Sequence, residues 1–205
     1  MSDEHLGWHS RGYLPHWDAP HIIQSITFRL ADSLPASHDL RRELDSVPNT
    51  PAARLGRLQS LLDAGHGWCA LRDPRAARIV ENALLHHDGD RYRLLAWVVM
   101  PNHVHVLIES FEGHALARIV QSWKTYTAVA CNRLQGLHGR FWEPEYYDRA
   151  IRDERHLGNV VRYIHNNPVL AGLVQQPQQW LFGSARRVET PESTFHVPWE
   201  NTTQH

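Results

Sequence analysis

His103 and His105 stand one residue apart inside an apolar run that extends from Trp97 to Glu109. The run is short and rich in Val, Ile and Trp, which favours strand over helix. Pro101-Asn102 breaks it into two strands. Strand side chains alternate between faces, so both imidazoles point to the same side. Two imidazoles side by side on a rigid strand can grip one divalent metal ion, although a single strand histidine is usually a hydrogen-bonded structural residue. Sixty residues further on, Tyr163 and Asn167 are four apart in a helical pattern and share one face. Taken alone, a helical tyrosine packs and an Asn before Pro168 terminates a helix. Beside a metal-bound phosphate, a phenolic oxygen can instead attack phosphorus and form a covalent ester. The metal would polarise the phosphoryl oxygen, and the Asn167 amide oxygen could complete its ligand set. Mixed nitrogen and oxygen ligands suit Mg²⁺ or Mn²⁺, while the absence of thiolate argues against a structural zinc.

The elements that must position these residues are legible in outline. Residues 1–20 read as an irregular arm. Ile22 to Leu30 reads as the first strand, ended by Leu34-Pro35. Residues 36–73 read as a helical insertion. It has a short helix over Asp39 to Asp45 and a second with Thr50 as N-cap and Pro51 at its first position. Leu55, Leu58, Leu61 and Leu62 form the apolar face of that second helix, so the insertion should pack on the domain, away from the histidines. Asp73-Pro74 starts a helix running to about His87, with Ala77, Val80, Leu84 and Leu85 inward. Strands over Arg91–Met100 and His103–Ser110 follow.

The next helix spans about Ala115 to Leu134, with Leu116, Ile119, Val120, Trp123, Tyr126, Thr127 and Ala130 on one side. A short strand over Tyr147 to Ile151 precedes a last helix from Glu154 to about Asn167, capped by Asp153 and ended by Pro168 and Gly172. The tail from Gln175 has no strong periodicity. The order strand, helix, strand, strand, helix, strand, helix implies an α+β fold. It would be a ferredoxin-like split β-α-β sandwich with an antiparallel sheet and a C-terminal catalytic helix. The 205 residues fit a single domain carrying the insertion.

Composition bounds the partners. No segment is long and apolar enough to cross a membrane, and the N-terminus lacks the pattern of a secretory signal. Cys69 and Cys131 sit in unrelated contexts and fit buried thiols in a reducing cytoplasm. The net charge is −1, which by itself does not point to nucleic acid. Of the 21 basic residues only Lys124 is a lysine. Arginine binds phosphate in a bidentate way and stacks on bases, though a GC-rich genome also enriches it.

Pro-Asn-His-Val-His-Val-Leu-Ile (101–108) and Tyr-Ile-His-Asn-Asn-Pro-Val-Leu-Ala-Gly-Leu-Val (163–174) together resemble the single-tyrosine HUH transposase group. The segment Trp142 to Arg152 resembles the corresponding stretch of the REP-associated tyrosine transposases. The resemblance covers roughly residues 8–30 and 91–185, and both motifs in this order are far more specific than His-x-His alone. It implies that His103 and His105 hold the metal and that Tyr163 is the nucleophile. Asn167 takes the place of a third ligand that is glutamine in related insertion-sequence enzymes; Asn166 is the alternative. The implied activity is cleavage and strand transfer of single-stranded DNA flanking a palindromic hairpin, through a 5′-phosphotyrosine. The alternative is a hairpin-binding protein without catalysis. A metal hydrolase of small molecules, from another class, would not need Tyr163. By the resemblance, Arg11, Lys124 and Arg152 are the DNA contacts. Trp142, Tyr146 and Tyr147 either stack on bases or pack in the core. Related enzymes exchange tyrosine helices between two subunits, but Trp180 and Phe182 are apolar enough to hold this helix to its own domain. The expectation is therefore a monomer, with a homodimer as the alternative.

Overall fold

A computed structural model describes residues 7–10, 15–34 and 37–187. The chain opens with strands β1 (Gly7–Ser10) and β2 (Pro15–Asp18), which pair antiparallel as a hairpin. Within residues 7–10 and 15–18 the expected irregular arm is therefore a strand ladder, too short and too polar to show an apolar period. Strand β3 (Ile23–Arg29) follows, then the insertion helices α1 (Ser37–Asp45) and α2 (Pro51–Asp63). The Thr50 hydroxyl accepts a hydrogen bond from the Ala53 amide at 3.2 Å, as an N-cap should. Helix α3 (Pro74–Leu85) starts on Asp73, whose side chain accepts from the Arg75 amide. Strands β4 (Tyr92–Val99) and β5 (His103–Ser110) lead to α4 (Leu116–Gln135), β6 (Tyr147–Ala150) and α5 (Glu154–Leu170).

The four main strands form one antiparallel sheet in the order β4-β5-β3-β6. With β3 as the first core strand, this is the ferredoxin-like order. Helices α3 and α4 cover one face, over Ile26, Phe28, Val104, Val106 and Ile108. Helix α5 covers the other, with Ile164 packed among Ala96, Val98, Met100 and Leu107. The helix-covered sheet is thus a three-layer structure around its central strands. Every residue of β5 is buried, which explains why its sequence reads as a continuous apolar run rather than an alternation.

Two helix details differ from expectation. Tyr126 was expected inward, yet it is exposed, because Trp123, Thr127 and Cys131 set the buried stripe of α4 and Tyr126 lies a quarter turn round it. Helix α5 does not end at Asn167 but runs through Pro168 to Leu170. Its end is made further on: Gly172 has φ +68°, its amide donates to the Val169 carbonyl, and the Leu173 amide donates to that of Pro168. This left-handed closure satisfies the last carbonyls and lets the helix continue one turn beyond the asparagine.

The tail also differs. Residues 177–179 and 184–187 form short 3-10 turns. Gly183 bridges Val98 along the free side of β4, and the Val99 amide donates to the Phe182 carbonyl.

Candidate active site

The site forms where α5 crosses the β5 face that carries the alternate residues 103, 105 and 107. His103 and His105 are 0% and 1% exposed, and their Nε2 atoms are 3.1 Å apart. Two nitrogens each about 2.1 Å from one ion and at right angles around it lie about 3.0 Å apart. The observed spacing therefore fits two ligands of a common cation.

Their outer nitrogens are held. Asn102 Nδ2 donates to the carbonyls of Leu62 and His66, at 3.1 and 3.2 Å. Asn102 Oδ1 is therefore left to accept from His103 Nδ1 at 2.8 Å. This fixes the His103 proton on Nδ1 and leaves a lone pair on Nε2. His105 Nδ1 is 2.8 Å from the Thr27 hydroxyl, on the directly opposed residue of β3. Second partners of this kind orient metal-binding imidazoles. Burial pushes both histidines down, His105 to about 3 and His103 well below its ordinary value, with the neighbouring His105 adding to the effect on His103. Both are neutral near pH 7, the form that binds metal.

Helix α5 brings Tyr163 and Asn167 to the same place. The Tyr163 ring stands edge-on to His105 with centroids 5.3 Å apart. Its hydroxyl is buried and makes no hydrogen bond. Burial, reinforced by the charge of Asp63, raises the phenol well above its usual range, and the nearby Asn167 amide opposes this. Asn167 is fully buried, and neither its oxygen nor its nitrogen has a hydrogen-bond partner. Its amide is near enough to His103 to favour that imidazole's charged form. Orphaned polar atoms of this kind are costly in an ordinary core. Here the orphaned amide lies beside His103, which suits a cation site. Asn166, the alternative ligand, instead donates from Nδ2 to the Arg162 carbonyl.

The insertion is not remote, as expected, but forms a wall of the site. Asp63, the last residue of α2, brings Oδ1 to 3.6 Å from His103 Nε2. Its carboxyl is pushed up to about 6 by burial. A leucine face announces that a helix packs, but not against what. Sequence reasoning therefore missed Asp63, and it missed Asn102 and Thr27 as supports; for Asn102 the signal was its place beside His103.

The expected DNA-contact residues lie apart from this centre. Arg11 falls outside the described residues. Lys124 is half-buried and donates to the carbonyls of Glu143 and Pro144, at 2.6 and 2.7 Å, and burial lowers its pKa to about 8. Arg152 is exposed just before α5. Trp142 and Tyr146 are core residues, the indole of Trp142 donating to the Thr127 hydroxyl.

Comparison with known proteins defines the class. The family described as "Transposase IS200 like" matches residues 74–167. The REP-associated tyrosine transposase of Escherichia coli (strain K12) is 30% identical over 125 residues, which span 60% of this chain and 72% of that protein. A putative REP-associated tyrosine transposase of Haemophilus influenzae is 26% identical over 106 residues, spanning 47% of this chain and 60% of that one. A solved REP-associated tyrosine transposase bound to a REP hairpin shares the fold, with TM-score 0.58 and 20% identity over 92% of this chain and 96% of that one. The chain belongs to the REP-associated tyrosine transposase family. It is an enzyme of the IS200-like transposase class.

Proposed function

We propose that this protein cuts and rejoins single-stranded DNA beside a palindromic hairpin, with Tyr163 as nucleophile. The observation that carries the reading is that Tyr163 packs edge-on to His105 and the orphaned Asn167 amide lies beside His103, whose Nε2 is 3.1 Å from that of His105. The solved relative bound to a REP hairpin supports the substrate class.

His103, His105 and the Asn167 oxygen would hold Mg²⁺ or Mn²⁺. An ion there supplies Lewis-acid polarisation of a phosphoryl oxygen. Tyr163 Oη forms the new bond to phosphorus while the bond to the 3′-oxygen breaks. The products are a 5′-phosphotyrosine and a free 3′-hydroxyl. Burial keeps the phenol protonated beforehand, so it gives up its proton as the leaving 3′-oxygen gains one, and the step is proton-neutral overall. One phosphodiester is exchanged for another, so rejoining needs no outside energy. Arg152 and the third proton of the Lys124 ammonium are the proposed phosphate contacts, together with Arg11. Tyr163 meets the histidines of its own chain, which supports a monomer acting in cis.

The test is incubation with end-labelled hairpin DNA and Mn²⁺. A denaturation-resistant protein–DNA adduct is expected with the wild type and is expected to vanish in Tyr163→Phe and in chelator. His103→Ala and His105→Ala should each abolish the adduct while leaving hairpin binding largely intact, since affinity comes mainly from phosphate contacts. A protein that binds hairpins but never forms the adduct would be the non-catalytic alternative.

A further inference from the structure

We propose that Asp63 is an additional ligand of the same cation, so that the 36–73 insertion supplies part of the metal site. The inference rests on the His103–His105 reading above. It starts from an arrangement that is unfavourable without a cation. Asp63 Oδ1 is buried and makes no hydrogen bond. It faces His103 Nε2 at 3.6 Å, and that nitrogen carries a lone pair because its ring proton is engaged with Asn102. Carboxylate oxygen and imidazole lone pair therefore confront each other, and His105 Nε2 stands 3.1 Å from the same nitrogen. A divalent cation among them would make the carboxylate and the two imidazoles into a ligand set.

Two further observations support this. Asn167, fully buried with an unpartnered amide, lies beside His103. Asn102 also fixes the segment that carries Asp63, because its amide nitrogen donates to the carbonyls of Leu62 and His66 on either side of that residue. The strand that bears the histidines thus sets the position of the carboxylate. Two imidazoles, an amide oxygen and a carboxylate suit a hard or borderline divalent ion, and the carboxylate adds the one negative charge the other three ligands lack. The transposase family match, residues 74–167, does not include Asp63.

The test is Mn²⁺ binding to the full chain without DNA, by titration calorimetry and by Mn²⁺ electron paramagnetic resonance. Asp63→Asn is expected to weaken binding by about tenfold or more, with hairpin affinity in chelator unchanged. Asp63→Cys should shift preference from Mn²⁺ toward Zn²⁺ or Cd²⁺, since thiolate selects softer ions. If His103→Ala abolishes Mn²⁺ binding while both Asp63 variants keep wild-type affinity and selectivity, the inference is overturned and the two-histidine site stands. If His103→Ala also binds Mn²⁺ like the wild type, the metal reading itself falls, and this inference with it.

Discussion

Asn102 joins the two halves of the site through one amide group. Its oxygen sets the His103 tautomer and its nitrogen ties down the end of α2. Replacing it with alanine removes three hydrogen bonds from a residue that is 1% exposed. Asn102→Ala should lower Mn²⁺ affinity about 10- to 100-fold and cost about 1–3 kcal/mol of stability, read by calorimetry and urea unfolding respectively. Tyr92 gives a pH prediction away from the site. Its hydroxyl donates to the Leu84 carbonyl and accepts from the Trp123 indole, and burial raises its pKa to about 12. The folded value lies above the unfolded value near 10. The stability from this group is therefore complete below pH 10 and is lost as pH rises toward 12. Tyr92→Phe should remove that part of the alkaline loss, seen as a flatter dependence of the urea midpoint on pH. The histidine pair was legible because strand alternation is a strict rule. Asn102 and Thr27 were not, because cross-strand and loop partners depend on register, which spacing alone does not fix.

The insertion depends on one close approach. Gly67 has φ +82°, and a Cβ there would lie 2.3 Å from the Asp32 carbonyl oxygen. The next amide, of Trp68, donates to the Asp32 side chain at 2.7 Å. Gly67→Ala combines left-handed strain with a backbone clash. It should unseat the segment between α2 and α3, giving faster proteolysis near residues 64–69 and a stability loss of about 1–3 kcal/mol. A leucine-faced α2 was readable from Leu58, Leu61 and Leu62, and Thr50-Pro51 marked its start. Its docking partner was not readable, because an apolar face carries no address. Helix α5 shows the same division. The four-residue spacing of Tyr163 and Asn167 gave their shared face, whereas Pro168 suggested too early an end. The close of the helix lies in the conformation of Gly172 and the carbonyls behind it.

At the scale of the molecule, the chain after α5 protects the sheet. The Trp180 indole donates to the Val99 carbonyl, the Phe182 carbonyl accepts from the Val99 amide, and the Ser184 hydroxyl accepts from the Trp97 amide. An unpaired edge strand is a template for association with other chains. Ending the chain at Gln176 should expose β4 and produce concentration-dependent self-association in sedimentation velocity, absent in the full chain. The ferredoxin-like strand order was legible from the succession of apolar runs. This edge cover was not, because residues 177–187 make single bridges and short turns that leave no period in the sequence.

The meeting of His105 with Tyr163 across the sheet also has a consequence in time. The two residues are 58 positions apart. At about 5–20 residues per second, synthesis takes roughly 3–12 s to pass from one to the other. Throughout that interval the nascent polypeptide carries its imidazoles without the nucleophile proposed above. The capacity to break a DNA strand therefore arises late in translation, when the last long helix emerges and docks.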